Sequence, residues 1–252
     1  MSTKQSPSAA DKTLIVLQAA LQHPRFTDIV NATGLAKSSV HRLLQTLVKY
    51  EFIAVSADGN YYAGPAALSL AATAFERIDI SQQTKPYIRQ LAREVGCQVH
   101  IGARNGKDAV YVAIQETDTP YRIPSRIGDR LPFHSTSIGK CFLAEEEDEA
   151  IIRYVADMQL PKHTPRTIST TAELIKEIDK VRERGFAIDD EENVPGIRCV
   201  AVPIRNHLGR VNHALSITTL TLEKSMDEVI ALVPQIKQAA AKISRSLGAK
   251  EF

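Results

Sequence analysis

FTDIVNATGLAKSSVHRLLQTLVKY, residues 26–50, reads as two short helices joined by a tight turn at Ala32-Thr33-Gly34-Leu35. In the first, Phe26, Ile29 and Val30 recur at helical spacing, and Gly34 supplies the backbone freedom that a sharp helix-to-helix turn needs. In the second, Val40, Leu43, Leu44 and Leu47 fall at i, i+3, i+4 and i+7 and make one apolar stripe, with Ser38, Arg42, Gln45 and Lys49 opposite. A small-polar and basic face of this kind suits a DNA groove. The plain alternative is a small helical core domain without a nucleic-acid partner.

The flanking segments favour the groove reader. IAVSADGNYYA, residues 53–63, is two strand-like runs around an Asp58-Gly59-Asn60 turn, which adds a hairpin to the helix pair and predicts a winged helix-turn-helix. Tyr61 and Tyr62 alternate faces on that hairpin, one against the helices and one toward the DNA backbone. Upstream, the apolar run from Lys12 to Leu21 ends before His23-Pro24 and supplies the third helix of such a domain. Residues 11–64 therefore form the expected DNA-binding domain, and the polar residues 1–10 a flexible tail without the apolar core of a signal peptide.

A chain of 252 residues, 44% hydrophobic and 24% charged, is long enough for two domains. Its longest nearly uncharged apolar run, residues 66–75, falls well short of the roughly 20 residues that a membrane span requires, so a soluble cytoplasmic protein is expected. Three cysteines at wide spacing, Cys97, Cys141 and Cys199, fit neither a disulfide framework nor a zinc site, and no cofactor is expected. Of 31 Lys and Arg and 29 Asp and Glu, residues 1–64 hold six and four, leaving 25 of each for the remainder. All of the net charge of +2 thus sits in residues 1–64, the DNA reader and the tail before it. So small an excess neutralises few phosphates, and specific affinity calls for two or more copies on one site.

Beyond Gly64-Pro65, residues 66–77 read as a helix with Leu68, Ala71, Ala72, Phe75 and Ile78 on one stripe, a linker helix over 65–80. A second helix runs from Ser81 to Val95 and stops at Gly96. The period then becomes that of strands, with CQVHIGA at 97–103 and AVYVAI at 109–114 around an Asn105-Gly106 turn. Helices are expected at 135–144, 146–155 and 171–184, and strands at 186–189, 198–204 and 211–218. One long helix over 222–247 carries Met226, Val229, Ile230, Val233, Ile236, Ala240, Ile243 and Leu247 on its inner face. Residues 81–252 make an α+β domain within a chain of the broad α/β class.

Three segments together resemble the IclR-type bacterial transcription regulators. GLAKSSVHRLLQTL (34–47) is similar to that family's recognition helix, and GDRLPFHSTSIGKCFLA (128–144) to its Gly, Leu-Pro, His, Gly-Lys, Leu-Ala block. GFAIDDEENVPGIRCVAVPI (185–204) carries Gly185, Asp189, Glu192, Cys199, Ala201 and Ile204 at the spacing of its signature, followed by Asn206. The resemblance implies a C-terminal effector domain resembling the GAF fold, a dimer or dimer of dimers, and control of operator binding by a small molecule, often a carboxylate or an aromatic acid. It places the effector pocket at Ser137, Ile138 and Gly139, at Asp189, Ile197 and Cys199, and at Ser216 and Thr218. Three positions depart from the family pattern. Ile138 and Cys141 stand where small residues are usual, which reshapes or narrows the pocket. Arg205 stands where an aromatic or histidine is usual, either as a charge near the site or as a solvated arginine.

The residues support the same pocket by themselves. A helix start at 135–139 can hold an anion, Ser216 and Thr218 share one face of a strand, and Cys199 adds a small polarizable wall. For the DNA reader, Ser38, Ser39, His41 and Arg42 open the recognition helix and are the candidates for DNA contact, His41 with the alternative of packing at the edge of the apolar stripe. Lys37 and Lys49 are phosphate candidates. Two rival functions remain, an enzyme using Cys199 with a base such as His213, and a DNA-binding protein without an effector. The acidic run at 145–149 reads as a solvated helix start. Arg122, Arg126 and Arg130 lie on a loop, with a cationic lid as the alternative.

Overall fold

A reciprocal capping box starts the chain's first helix. In this computed structural model the Ser8 hydroxyl accepts from the Asp11 amide and the Asp11 carboxylate accepts from the Ser8 amide, so that α1 runs Ala9–Gln22. Residues 7–76, 79–117 and 123–249 are described. Because α1 takes in Ala9 and Ala10, the tail expected over 1–10 is shorter than predicted; residues 1–6 lie outside the described residues. The chain divides after residue 78 into two units.

In the first unit α2 spans Phe26–Thr33 and α3 spans Lys37–Lys49. Gly34 closes α2 at φ 64°, the left-handed conformation in which a Cβ is costly. Val16, Ala19 and Ala20 of α1 meet Ile29, Val30, Val40, Leu44, Leu47 and Ile53 in one core, with Phe26, Leu43 and Tyr61 packed against it. The hairpin of β1 (Ile53–Val55) and β2 (Tyr61–Ala63) follows, with Ala54 opposite Tyr62. Tyr61 turns inward and Tyr62 is 51% exposed, as the alternation requires. α4 spans Pro65–Glu76. On its stripe Leu68, Ala71 and Ala72 are exposed. The Phe75 side chain and Ile78 lie outside the described residues.

The second unit opens with α5 (Ile80–Val95), capped by Asp79 on the Gln82 amide. Six antiparallel strands follow in the order β5-β4-β3-β8-β7-β6. They are β3 (Gln98–Asn105), β4 (Asp108–Gln115), β5 (Arg130–Pro132), β6 (Ala187–Asp190), β7 (Ile197–Arg205) and β8 (Val211–Leu220). Two apolar cores flank the sheet. Ile88, Leu91 and Val95 of α5 join Val200, Val202, Leu215 and Ile217 and the C-terminal helices in one. In the other, α6 (Ser137–Leu143), α7 (Asp148–Met158) and α8 (Thr171–Arg184) pack together with Ala109, Ala187, Ala201 and Ala214 from the sheet.

Three expectations change here. The long C-terminal helix is two, α9 (Met226–Ala231) and α10 (Val233–Ser246), because Pro234 stands in the first turn of α10, where its missing N–H costs nothing. Val229, Val233, Ile236, Ala240, Ile243 and Leu247 are nevertheless buried. The helix expected from 135 begins at Ser137, with Thr136 as its cap, and the one expected from 146 begins at Asp148. Strand β5 is an addition, a three-residue edge strand too short to show a period.

Candidate functional site

Antiparallel register aligns one polar row across the sheet of the second unit. Asp189 on β6 stands opposite Cys199 on β7, Cys199 opposite Thr218 on β8, and Thr218 opposite Gln98 on β3. Two residues from Thr218 on the same face, Ser216 stands opposite Ala201 and His100. The start of α6 closes over this row, and between them lies a cavity of about 390 Å³. Ser137, Ile138, Asp189, Ile197, Cys199, Ser216 and Thr218 all line it.

Gly139 does not line it, which corrects its place among the pocket residues. A Cβ there would lie 2.3 Å from Phe133 Cα and 2.6 Å from the Pro132 carbonyl oxygen. Glycine at this position lets α6 seat against the 132–133 backbone, and its amide is taken by the Thr136 hydroxyl at 3.0 Å. Ile138, the residue larger than the family pattern, lies against Gly102, where an added Cβ would come within 2.5 Å of its Cγ2. The chain makes room for the larger side chain with a glycine at a bulge of β3.

The charges around the cavity are arranged by burial. Asp189 is 3% exposed, and its Oδ1 accepts from the Glu192 and Asn193 amides at 2.8 and 3.3 Å. Burial nevertheless outweighs those bonds and the nearby Lys140 cation, and pushes its carboxyl up to about 7. Lys140, within α6, is completely buried and donates to the Ile188 carbonyl at 2.8 Å and to Glu192 Oε1 at 2.5 Å. Glu192 Oε2 is buried and has no hydrogen-bond partner among the described residues. Asn193 takes the Ser135 hydroxyl on its Oδ1 at 3.1 Å and also lines the cavity.

Several lining residues were not foreseen. Tyr111 comes from β4, Ile123, Pro124, Ser125 and Asp129 from the segment before β5, and Arg130 and Leu131 from β5 itself. Arg130, expected on a loop with a cationic lid as the alternative, stands on β5 and is paired with Asp108 at 3.4 Å. Arg126 does not line the cavity, and Arg122 lies outside the described residues. His100, completely buried, stacks on Tyr111 with ring centroids 4.5 Å apart. The signal for His100 was present in CQVHIGA, where Gln98 and His100 put two polar side chains on one face of an otherwise apolar strand. Arg205 does not line the cavity, and its side chain is 39% exposed. It binds Glu145 at 2.8 Å and the Gly209 carbonyl at 2.9 Å.

The cysteine-centred catalytic arrangement does not assemble. Cys199 Sγ lies 3.3 Å from Thr218 Oγ1, and burial holds its thiol well above the ordinary range, the reverse of an activated nucleophile. His213 stands opposite Ile204, five residues from Thr218 along β8, roughly 17 Å away at the rise of a strand. Glu192 is committed to Lys140. Among the described residues no group of three or more His, Cys, Asp or Glu could hold a metal ion. The acidic run starts α7, with Asp148 and Glu149 in its first turn.

On the first unit, Lys37, Ser38, His41, Arg42 and Lys49 are exposed along α3, and Ser39 is half-buried. His41 meets the edge of Phe26 at 6.2 Å between ring centroids, so it packs at the border of the stripe while remaining exposed. Among the described residues, the Arg42 side chain makes no ion pair. The Lys49 ammonium lies 5.7 Å from the centroid of the Tyr50 ring.

Comparison with known proteins finds two family domains in succession. The IclR helix-turn-helix domain matches residues 9–55, and the domain described as bacterial transcriptional regulator IclR C-terminal matches residues 72–245. The HTH-type transcriptional regulator XynR of Escherichia coli K12 is 36% identical over 225 residues, covering 89% of each chain. KdgR of the same organism is 32% identical over 252 residues, covering 98% of this chain and 95% of its own. The crystal structure of the Agobacterium tumefaciens repressor BlcR superposes with a TM-score of 0.78 at 26% identity, covering 96% of this chain and 98% of that one.

Proposed function

The chain belongs to the IclR family of bacterial transcription regulators, with an N-terminal helix-turn-helix DNA-binding domain and a C-terminal effector-binding domain, and from that premise we propose how its two domains are used. The cavity under α6 takes a small organic acid, held by Ser137, Ile138, Asp189, Ile197, Cys199, Ser216 and Thr218. The observation that carries this reading is the convergence of these seven positions, from α6, β6, β7 and β8, on one cavity of a small molecule's size. The protein works in the cytoplasm, as a regulator and not as an enzyme. Among the described residues no helix is long and apolar enough to cross a membrane.

On the DNA side, Ser38, Ser39, His41 and Arg42 meet the major groove and Lys37 and Lys49 the phosphates. Two subunits present two such helices to a pseudo-palindromic operator, half-sites about one helical turn apart, because one copy carries too little positive charge to bind tightly alone. Residues 65–80 link each reader to its effector domain, as a dimer or a dimer of dimers. Effector binding changes the operator affinity by favouring one of two placements of the readers.

A thermal-shift series with benzoate, pyruvate and gluconate, and glucose as the neutral control, tests the cavity. An acid that binds the folded state raises the melting temperature by mass action, and Asp189→Asn with Ser216→Ala abolishes the rise while operator binding persists. If no organic acid in such a series stabilises the protein or alters its operator affinity, the effector-independent reading replaces this one.

A further inference from the structure

His100 lies outside the residues that line the cavity, yet it touches two that do. Its Nδ1 is 3.2 Å from Thr218 Oγ1, and its Nε2 is 3.2 Å from Ser125 Oγ. Thr218 belongs to the sheet floor, and Ser125 to the segment that lines the cavity before β5. The imidazole therefore bridges the floor and this strap. The far end of the strap is tied to β4 by backbone: the Gly128 amide donates to the Tyr111 carbonyl at 2.9 Å, and the Tyr111 amide to the Asp129 carbonyl at 3.2 Å. The near end carries Ile123, Pro124 and Ser125, and the His100 contact is a side-chain tie.

The chemistry of the ring adds a constraint. Burial pushes the His100 imidazole down to about 3, so it is neutral at physiological pH, with one nitrogen donating and the other accepting. One of the two hydroxyls must donate to the ring and the other must accept from it. If Nδ1 carries the proton, Thr218 accepts and its own proton is free for Cys199 or a ligand, while Ser125 spends its proton on Nε2 and offers only lone pairs. The other tautomer reverses both roles. Floor and strap thus present complementary hydrogen-bonding character, fixed from behind the wall.

We infer that His100 is a positioning residue of the effector cavity, which ties the 123–125 strap to the sheet floor and sets the opposite donor and acceptor roles of the Ser125 and Thr218 hydroxyls. The cavity's use as an effector site rests on the reading above; the tie itself is a property of the free protein and is tested without any effector.

Cys199 provides the readout, since it lines the cavity, whereas Cys141 is buried in α6 and does not. The full-length chain is treated with methyl methanethiosulfonate, and labelling of each cysteine is followed by peptide mass spectrometry. His100→Phe keeps an aromatic ring for Tyr111 but no hydrogen-bonding nitrogen. Labelling of Cys199 should rise about tenfold, the order of change that losing one hydrogen bond makes in a local opening equilibrium, with Cys141 unchanged. His100→Gln, whose amide supplies one donor and one acceptor, should return it toward the wild-type rate. Hydrogen exchange of the amides of Ile123, Ser125, Arg126 and Ile127 should follow the same order. Equal acceleration at Cys141 in His100→Phe would mean general loosening, and no acceleration at Cys199 would mean no tie; either result overturns the inference. Neither result bears on whether an acid stabilises the wild-type protein.

Discussion

Replacing Gly139 by alanine separates two explanations for a glycine inside the effector-domain motif. If it packs, the added Cβ meets backbone on the far side, 2.3 Å from Phe133 Cα, 2.6 Å from the Pro132 oxygen and 2.8 Å from the Phe133 carbonyl carbon. Carbon atoms sit comfortably at about 3.5–4.0 Å, so α6 and the 132–133 segment must part by about 1 Å or more. Neither side can yield by a rotamer change, which puts the cost at the upper end of the roughly 1–3 kcal/mol typical of overpacking. Alanine's better helix propensity returns at most about 1 kcal/mol. With a net loss of about 2 kcal/mol, the effector-domain transition should fall by roughly 4–8 °C, at the 2–4 °C per kcal/mol expected for a domain of this size. Differential scanning calorimetry of the full chain measures it, with Gly34→Ala as a control. That glycine has nothing within 4 Å and pays only for its left-handed backbone, about 1–2 kcal/mol, in the other unit. An unchanged effector-domain transition in Gly139→Ala, together with lost stabilisation by a bound acid, would refute the packing argument and return Gly139 to the cavity wall.

Arg42→Ala should weaken operator binding by about 1–3 kcal/mol, roughly 5- to 150-fold by fluorescence anisotropy, without moving either thermal transition, because the side chain is exposed. Asp189 has its carboxyl raised from 3.8 to about 7 in the folded state, so between those pH values the folded protein binds the extra proton and stability falls as pH rises. In urea titrations across that window, the stability of Asp189→Asn relative to wild type should grow with pH; a constant difference would mean that Asp189 titrates normally. Gly102→Ala should destabilise by forcing its Cβ onto Ile138 Cγ2, and Ile138→Ala by removing a side chain that is 2% exposed, about 2–5 kcal/mol. Because each relieves the other, the double variant should be more stable than the sum of the two losses predicts, and strict additivity would deny the contact. Lys140→Ala should cost about 3–5 kcal/mol by leaving Glu192 buried without its cation, whereas Lys140→Met with Glu192→Leu should cost far less; equal losses in denaturant titrations would mean that the pair matters for more than its charge.

Much of this architecture is visible in the sequence because local pattern and tertiary environment agree. The stripe of Val40, Leu44 and Leu47 faces a core made by elements close in sequence, and Gly34 acts through its own φ. Ser216 and Thr218 share a face because β8 is a strand, whatever surrounds it. Agreement ends where a residue's role is set by a distant neighbour. The apolar stripe from Met226 to Leu247 runs past Leu232, so periodicity alone joins two helices that Pro234 divides. Gly139 sits among pocket residues in the motif, and only the approach of Phe133 shows that it serves packing. His100 gains its role from Ser125 and Thr218, 25 and 118 residues away.

Lys140 shows why pattern rules fail at this site. Within SIGKCFL the lysine would mark the solvent face of an amphipathic helix, but all seven residues of α6 are buried, because the helix lies between the sheet and α8 and has no solvent face. A cation there needs a buried anion, and Glu192 supplies it from 52 residues away, on the same turn that holds Asp189 through its Oδ1. The strand row that floors the cavity and the helix start that roofs it are thus joined by one buried ion pair. Asp189, which lines the cavity, accepts from the Glu192 amide and so stands one hydrogen bond from the pair that anchors α6.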